Sequence, residues 1–203
     1  KMCDDIGLTI CATHEPNEEI IKNPEVVIEK LNTLNCSYTA LPYPKNMNFL
    51  DINVLDKFIE DINIAGSIFN KANKVLCYHN HALEFQKINN EIILERIYKN
   101  TNDKCIQGEP DIYWIQKGGH DPISWCKKLK NRLPLIHLKD FIMLNEHESY
   151  YAEIGNGNLD IKSIIREAKL SGCKWYIVEQ DECQGDPFIS IETSFNNLLE
   201  FVT

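Results

Sequence analysis

Ionisable residues recur where short apolar runs stop. Val75-Leu76-Cys77-Tyr78 runs into His79-Asn80-His81, with Glu84 just beyond. Ile106-Gln107-Gly108-Glu109-Pro110 leads to Asp111, Pro134-Leu135-Ile136 to His137, Lys139 and Asp140, and Trp175-Tyr176-Ile177-Val178 to Glu179 and Asp181. Leu8-Thr9-Ile10-Cys11 leads to Thr13 and His14. Carboxylates mixed with imidazoles are the donors that hold Mn²⁺, Mg²⁺, Co²⁺ or Zn²⁺. Several carboxylates gathered in one buried place need a cation or a proton as compensation. Taken singly, each residue has an ordinary explanation. A histidine at a strand end is commonly a hydrogen-bonded structural group, and an acid after a strand commonly caps the next helix, as Asp140 and Asp181 would. Agreement among four strand ends on the same residue types is what points to a site.

The elements that must position these residues alternate. Strand-like runs cover Leu8–His14, Ser37–Pro44, Lys74–His81, Ile106–Trp114, Leu133–Asp140, a short stretch near Tyr151–Ile154, and Lys174–Asp181. Helical spacing covers Pro24–Asn35, Leu50–Lys71, Glu91–Asn100, Pro122–Arg132, Ile161–Ser171 and Ser190–Phe201. Asn23-Pro24, Asp121-Pro122 and Asp160 read as helix starts, and Gly172 as a residue just past a helix end. Regular strand–helix alternation predicts a parallel sheet with crossover helices. No glycine-rich turn follows Leu8–His14, which disfavours a dinucleotide-binding open sheet. In a parallel sheet the C-terminal strand ends share one face, and residues two apart share a side. His79/His81, His137/Lys139 and Glu179/Asp181 are therefore expected to point the same way in pairs, at the face where barrel enzymes build their sites.

These runs suggest a single α/β domain over residues 1–203, a (β/α)₈ TIM barrel with seven of its strands present. Residues 1–7 read as the end of a preceding helix, so a first βα unit of about 45 residues is expected to be missing from this chain. The balance of 30 acidic against 21 basic residues gives a formal net charge of −9. An acidic surface repels phosphate backbones and anionic lipid, which argues against nucleic acid and membrane as partners. The opening Lys1-Met2-Cys3-Asp4-Asp5 carries charge where the apolar part of a signal peptide would stand, so none is expected, and no apolar stretch reaches membrane-spanning length. Eight cysteines without a CxxC spacing, several of them inside apolar runs, read as reduced thiols in a cytoplasmic protein.

At these residues the sequence resembles the sugar phosphate isomerase/epimerase family of xylose isomerase-like TIM barrels. The segments that carry the resemblance are Gly7–His14, Leu76–Phe85, Glu109–Gly119, Pro134–Asp140, Glu153–Asn158 and Trp175–Asp181. The resemblance implies one divalent ion held by four strand ends. By motif position Asp111, His137 and Glu179 match three of the ligands. Glu84 is taken as the fourth, being the only carboxylate there, but many relatives carry a glutamate at the strand end itself where this chain has His79, which leaves Glu84, His79 and His81 competing for the ligand and base roles. It also implies a small sugar-like substrate, with proton abstraction beside a carbonyl and a metal-stabilised enediolate. Glu179, with Glu84 or His81, would move the proton. His14, His79, Trp114, Gln116, Lys139 and Asp186 would contact substrate, and Lys117 is a further hydroxyl contact. A dehydratase of the inosose type would share the same first step. An apurinic endonuclease would want more ligands and a basic surface. Without a first strand, two unpaired sheet edges would remain, so an inactive fragment and a homo-oligomer stay open.

Overall fold

The computed structural model describes residues 2–45 and 47–202. The chain divides into two units, one ending at Gly108 and the other starting at Glu109.

The first unit begins with α1 (Met2–Asp5), within the stretch expected to be helical; Lys1 lies outside the described residues. It continues with β1 (Ala12–His14), α2 (Asn17–Lys22), α3 (Pro24–Thr33), β2 (Tyr38–Leu41), α4 (Ile52–Lys71) and β3 (Val75–His79). A single 3₁₀ turn, Leu83–Phe85, precedes a small hairpin of β4 (Lys87–Ile88) and β5 (Glu91–Ile92), then α5 (Ile93–Lys99) and β6 (Ile106–Glu109). The sheet order is β1-β2-β3-β6. β1 pairs with β2 and β2 with β3 in parallel, aligning Ala12 with Tyr38 and Tyr38 with Val75. The long helix α4 buries Leu55, Phe58, Ile59, Ile62, Ala65 and Phe69, an apolar stripe at three- and four-residue spacing. Gly66 lies in that stripe where a β-carbon would meet the Cys105 carbonyl oxygen at 2.5 Å, so only glycine lets helix and strand approach so closely.

The second unit runs through α6 (Ile112–Lys117), α7 (Pro122–Lys128), β7 (Leu135–Leu138), β8 (Asp140–Met143), β9 (Ser149–Ala152), α8 (Ile161–Leu170), β10 (Trp175–Val178) and α9 (Pro187–Val202). β10 pairs with β7 in parallel, placing Ile177 opposite His137. A further parallel bridge joins Asp111 to His137, whose N–H donates to the Pro110 carbonyl at 2.9 Å. The parallel strands and crossover helices predicted from alternation are present in both units.

Several boundaries differ from the sequence reading. The run Ile106–Trp114 is strand only to Glu109, because Pro110 offers no N–H and the Asp111 side chain caps α6 by accepting from Trp114 N at 3.1 Å. The short run near Tyr151–Ile154 is not a parallel strand. Ser149–Ala152 pairs antiparallel with Asp140–Met143 as a hairpin. Asp121 and Asp160 cap their helices with the side chain, whereas Asn23 makes no side-chain cap bond. Gly172 follows α8 with φ +99°, as a C-terminal glycine should. Among the described residues no helix is long and apolar enough to cross a membrane, and the cysteines are thiols.

Candidate metal centre

The strand ends of the second unit bring their polar side chains together. β6 ends at Glu109, Asp111 follows two residues later, β7 carries His137 with Lys139 just beyond it, and β10 is followed by Glu179 and Asp181. Because strand side chains alternate, Glu109 and Asp111 share a side, as do His137 with Lys139 and Glu179 with Asp181. The contacts follow that rule. His137 Nδ1 lies 2.7 Å from Glu179 Oε2, and its Nε2 lies 3.4 Å from Glu109 Oε1. Lys139 Nζ lies 3.1 Å from Asp181 Oδ2, 3.2 Å from Glu179 Oε2 and 3.6 Å from Asp111 Oδ2.

Glu109 and Asp111 are wholly buried, and His137 and Lys139 nearly so, while Glu179 and Asp181 reach solvent. Four carboxylates thus face two basic side chains. Burial pushes the His137 ring toward neutrality, but Glu109 and Glu179 outweigh it and hold the imidazolium up to about 10. Burial also opposes charge on Lys139, and the Asp111, Glu179 and Asp181 carboxylates reverse that, raising its pKa. Three aromatic rings enclose the ammonium, Trp114 at 5.3 Å, Tyr151 at 5.6 Å and Tyr113 at 6.0 Å from Nζ. Burial and the Asp181 carboxylate keep the Tyr151 phenol protonated, well above its ordinary range.

The ligand atoms of Asp111, His137 and Glu179 lie within 4.8 Å of one another. Oxygen and imidazole donors at that spacing suit a divalent ion. An imidazole must be neutral to ligate, so with an ion bound His137 would give up its proton, and the carboxylates gathered beside Lys139 would face the divalent charge in its place. The donor set therefore fits the metal that the residue types suggest.

Beside this cluster Asp140 does something else. Its buried carboxylate accepts N–H bonds from Phe141 at 2.9 Å, Gly155 at 3.1 Å, Gly157 at 3.1 Å and Leu159 at 3.2 Å. It pins the Gly155–Leu159 loop to the start of β8 and caps no helix. A β-carbon on Gly157 would strike this carboxylate.

Other residues singled out from sequence fall as follows. Trp114 and Gln116 lie on α6, Trp114 against Lys139 and Gln116 exposed, as is Lys117. Asp186 is exposed and accepts from Phe188 N at 2.9 Å, at the start of α9. In the first unit His79 is buried, with ring contacts to exposed His14 at 5.0 Å and to His81 at 4.9 Å. Tyr43 packs on His81 at 5.0 Å. Glu84 accepts from Tyr78 Oη at 2.9 Å and from His81 N at 3.0 Å, which ties the His81 loop to β3. Burial raises the Glu84 carboxyl, and those two bonds only partly offset it.

Glu109 was not among the residues picked from sequence as part of the site, although it stands two before Asp111 and the same-side rule applied there would have found it. Tyr113 and Tyr151 were missed as well. Tyr151 reaches Lys139 only because β8 and β9 form a hairpin.

The family model described as xylose isomerase-like TIM barrel matches residues 2–196. Among solved structures, a sugar phosphate isomerase/epimerase from Parabacteroides distasonis is 28% identical over 97% of this chain and 72% of its own, with a TM-score of 0.80. A probable 3-DHS dehydratase from Bacillus anthracis is 13% identical over 97% of this chain and 79% of its own, with a TM-score of 0.75. A xylose isomerase-like TIM barrel protein from Mycobacterium smegmatis in complex with magnesium is 12% identical over 98% of this chain and 75% of its own, with a TM-score of 0.74. Among curated proteins the sequence finds no match.

Proposed function

Since the chain belongs to the xylose isomerase-like TIM barrel family, we propose that it is a metal-dependent isomerase or epimerase of a small sugar or sugar phosphate. The observation that supports this best is the convergence of Asp111, His137 and Glu179 on one spot from three strand ends, with ligand atoms within 4.8 Å. These three would hold the ion. When bound, a divalent ion supplies Lewis-acid stabilisation of negative charge on adjacent substrate oxygens.

The chain's own residues supply the rest. Glu179 is the proton-transfer group in this reading: its carboxylate is partly open to solvent and is fixed by His137 and Lys139. Glu109, on the other ring nitrogen of His137, orients the imidazole as carboxylates commonly orient ligating histidines. Trp114 offers an apolar ring beside the centre. The resemblance to a sugar phosphate isomerase/epimerase supports the substrate class.

The test has two parts. Chelator-stripped protein is titrated with Mn²⁺, with one ion per chain expected. The loaded protein is then incubated with a panel of ketoses and their phosphates in D₂O. Carbon-bound deuterium beside the carbonyl is expected on one class, with E179Q slowing its incorporation by at least about a hundredfold. Loss of water from the product would instead identify a dehydratase. No bound ion and no exchange on any sugar would refute the proposal.

A further inference from the structure

Lys139 is among the largest fully buried side chains, with only 2% of its side chain exposed. An ammonium is a compact, strongly hydrated charge, and burying it demands partners. Here two of the three carboxylate partners, Asp111 and Glu179, are also the donors assigned to the ion, at 3.6 and 3.2 Å. The third, Asp181, approaches from outside at 3.1 Å, and the Trp114, Tyr113 and Tyr151 rings fill the remaining directions.

We propose that Lys139 is the built-in counter-cation of the metal centre, a positioning residue that lets the carboxylate cluster form before an ion arrives and that weakens the hold on the ion once bound. The inference rests on the metal reading above. Its physics is direct. A carboxylate stripped of its buried partner is strongly destabilising, so the lysine permits the metal-free fold. The same fixed charge, drawn to the same oxygens, repels a second cation nearby. Deleting the charge while keeping the stem should therefore act in opposite directions on the two states. A lysine that merely filled space would lower stability in both and leave cation affinity alone.

The variant is K139M, which keeps the length and volume without the ammonium. Chelator-stripped wild type and variant are titrated with Mn²⁺ by calorimetry, and melting temperatures are taken with and without Mn²⁺. Metal-free K139M is expected to melt below wild type, to bind Mn²⁺ at least about tenfold more tightly, and to gain more melting temperature from the ion. K139R retains the charge and should bind Mn²⁺ within about threefold of wild type. Equal or weaker Mn²⁺ binding by K139M overturns the inference. So does a K139M protein that stays unfolded with Mn²⁺ present, because the ion would then fail to replace the lost charge. Wild type that binds no Mn²⁺ fails the metal reading itself, a result separable from either of these.

Discussion

The histidine between Glu109 and Glu179 makes the metal-free protein sensitive to pH in a defined window. Its pKa is held up to about 10 in the fold, against about 6.5 in an unfolded chain. The folded state thus binds this proton more tightly than the unfolded state. The stabilisation is fully present below about pH 6.5 and is lost as pH climbs toward 10. Between pH 6.5 and 9 the loss is about 3 kcal/mol at 1.36 kcal/mol per pH unit. One partner, Glu179, has 34% of its side chain exposed, and solvent screening brings the expected loss to about 1.5 to 3 kcal/mol. The assay is urea unfolding in chelator at pH 6.5, 7.5, 8.5 and 9, for wild type and H137Q. Lys139 titrates above this window because its pKa is raised. The buried thiols of Cys126 and Cys173, both held protonated to about 12, contribute equally to both proteins and cancel. Wild type should decline by about 1.5 to 3 kcal/mol more than H137Q, whose smaller decline is what the thiols alone contribute. A flat wild-type profile, or an H137Q profile that falls in parallel, would refute the account of His137 as a clamped imidazolium.

Two further outcomes follow from other parts of the second unit. Asp140→Ala removes the acceptor of four backbone N–H groups, and should lower unfolding free energy in urea by about 2 to 4 kcal/mol; Gly157→Ala, which drives a methyl into the same carboxylate, should lower it in the same direction. Cys126 is fully buried with its thiol pushed up to about 12 by burial, so iodoacetamide at pH 8 should leave it unmodified by mass spectrometry until denaturant is added.

The strand ends were the most legible part of the molecule, and the reason is the two-residue period of a strand. That period pairs His137 with Lys139 and Glu179 with Asp181 whatever the surrounding fold. It extends to Glu109 and Asp111 too, inside the expected strand Ile106–Trp114, although only Asp111 is singled out there as a site residue. The backbone shows why it continues: the Asp111–His137 bridge carries parallel register past the proline. The run near Tyr151 had the composition of a strand, and composition says nothing of direction. Its antiparallel partner, Asp140–Met143, became visible only with the pairing itself. Glu84 shows the converse limit. Sequence marked it as a carboxylate near a strand end, while its bonds to Tyr78 and to the His81 N–H depend on a 3₁₀ turn that no period announces.

What would favour a metal centre over an ordinary buried ion-pair network at this cluster is the balance of its acids and bases. A network built for stability alone would be expected to match its acids with bases, since each uncompensated buried charge is costly. Glu109, Asp111, Glu179 and Asp181 outnumber the positive charge of Lys139 and His137 even with the imidazole protonated. The excess is placed where three donors from separate strand ends already approach one another. Surface helices of the same chain follow the other pattern: Lys22 is matched by Glu18, and Arg96 by Asp56 and Glu91, at exposed or half-exposed sites where solvent screens what remains. Among the described residues, this cluster gathers acids and an imidazole from separate strand ends at the spacing a cation would use.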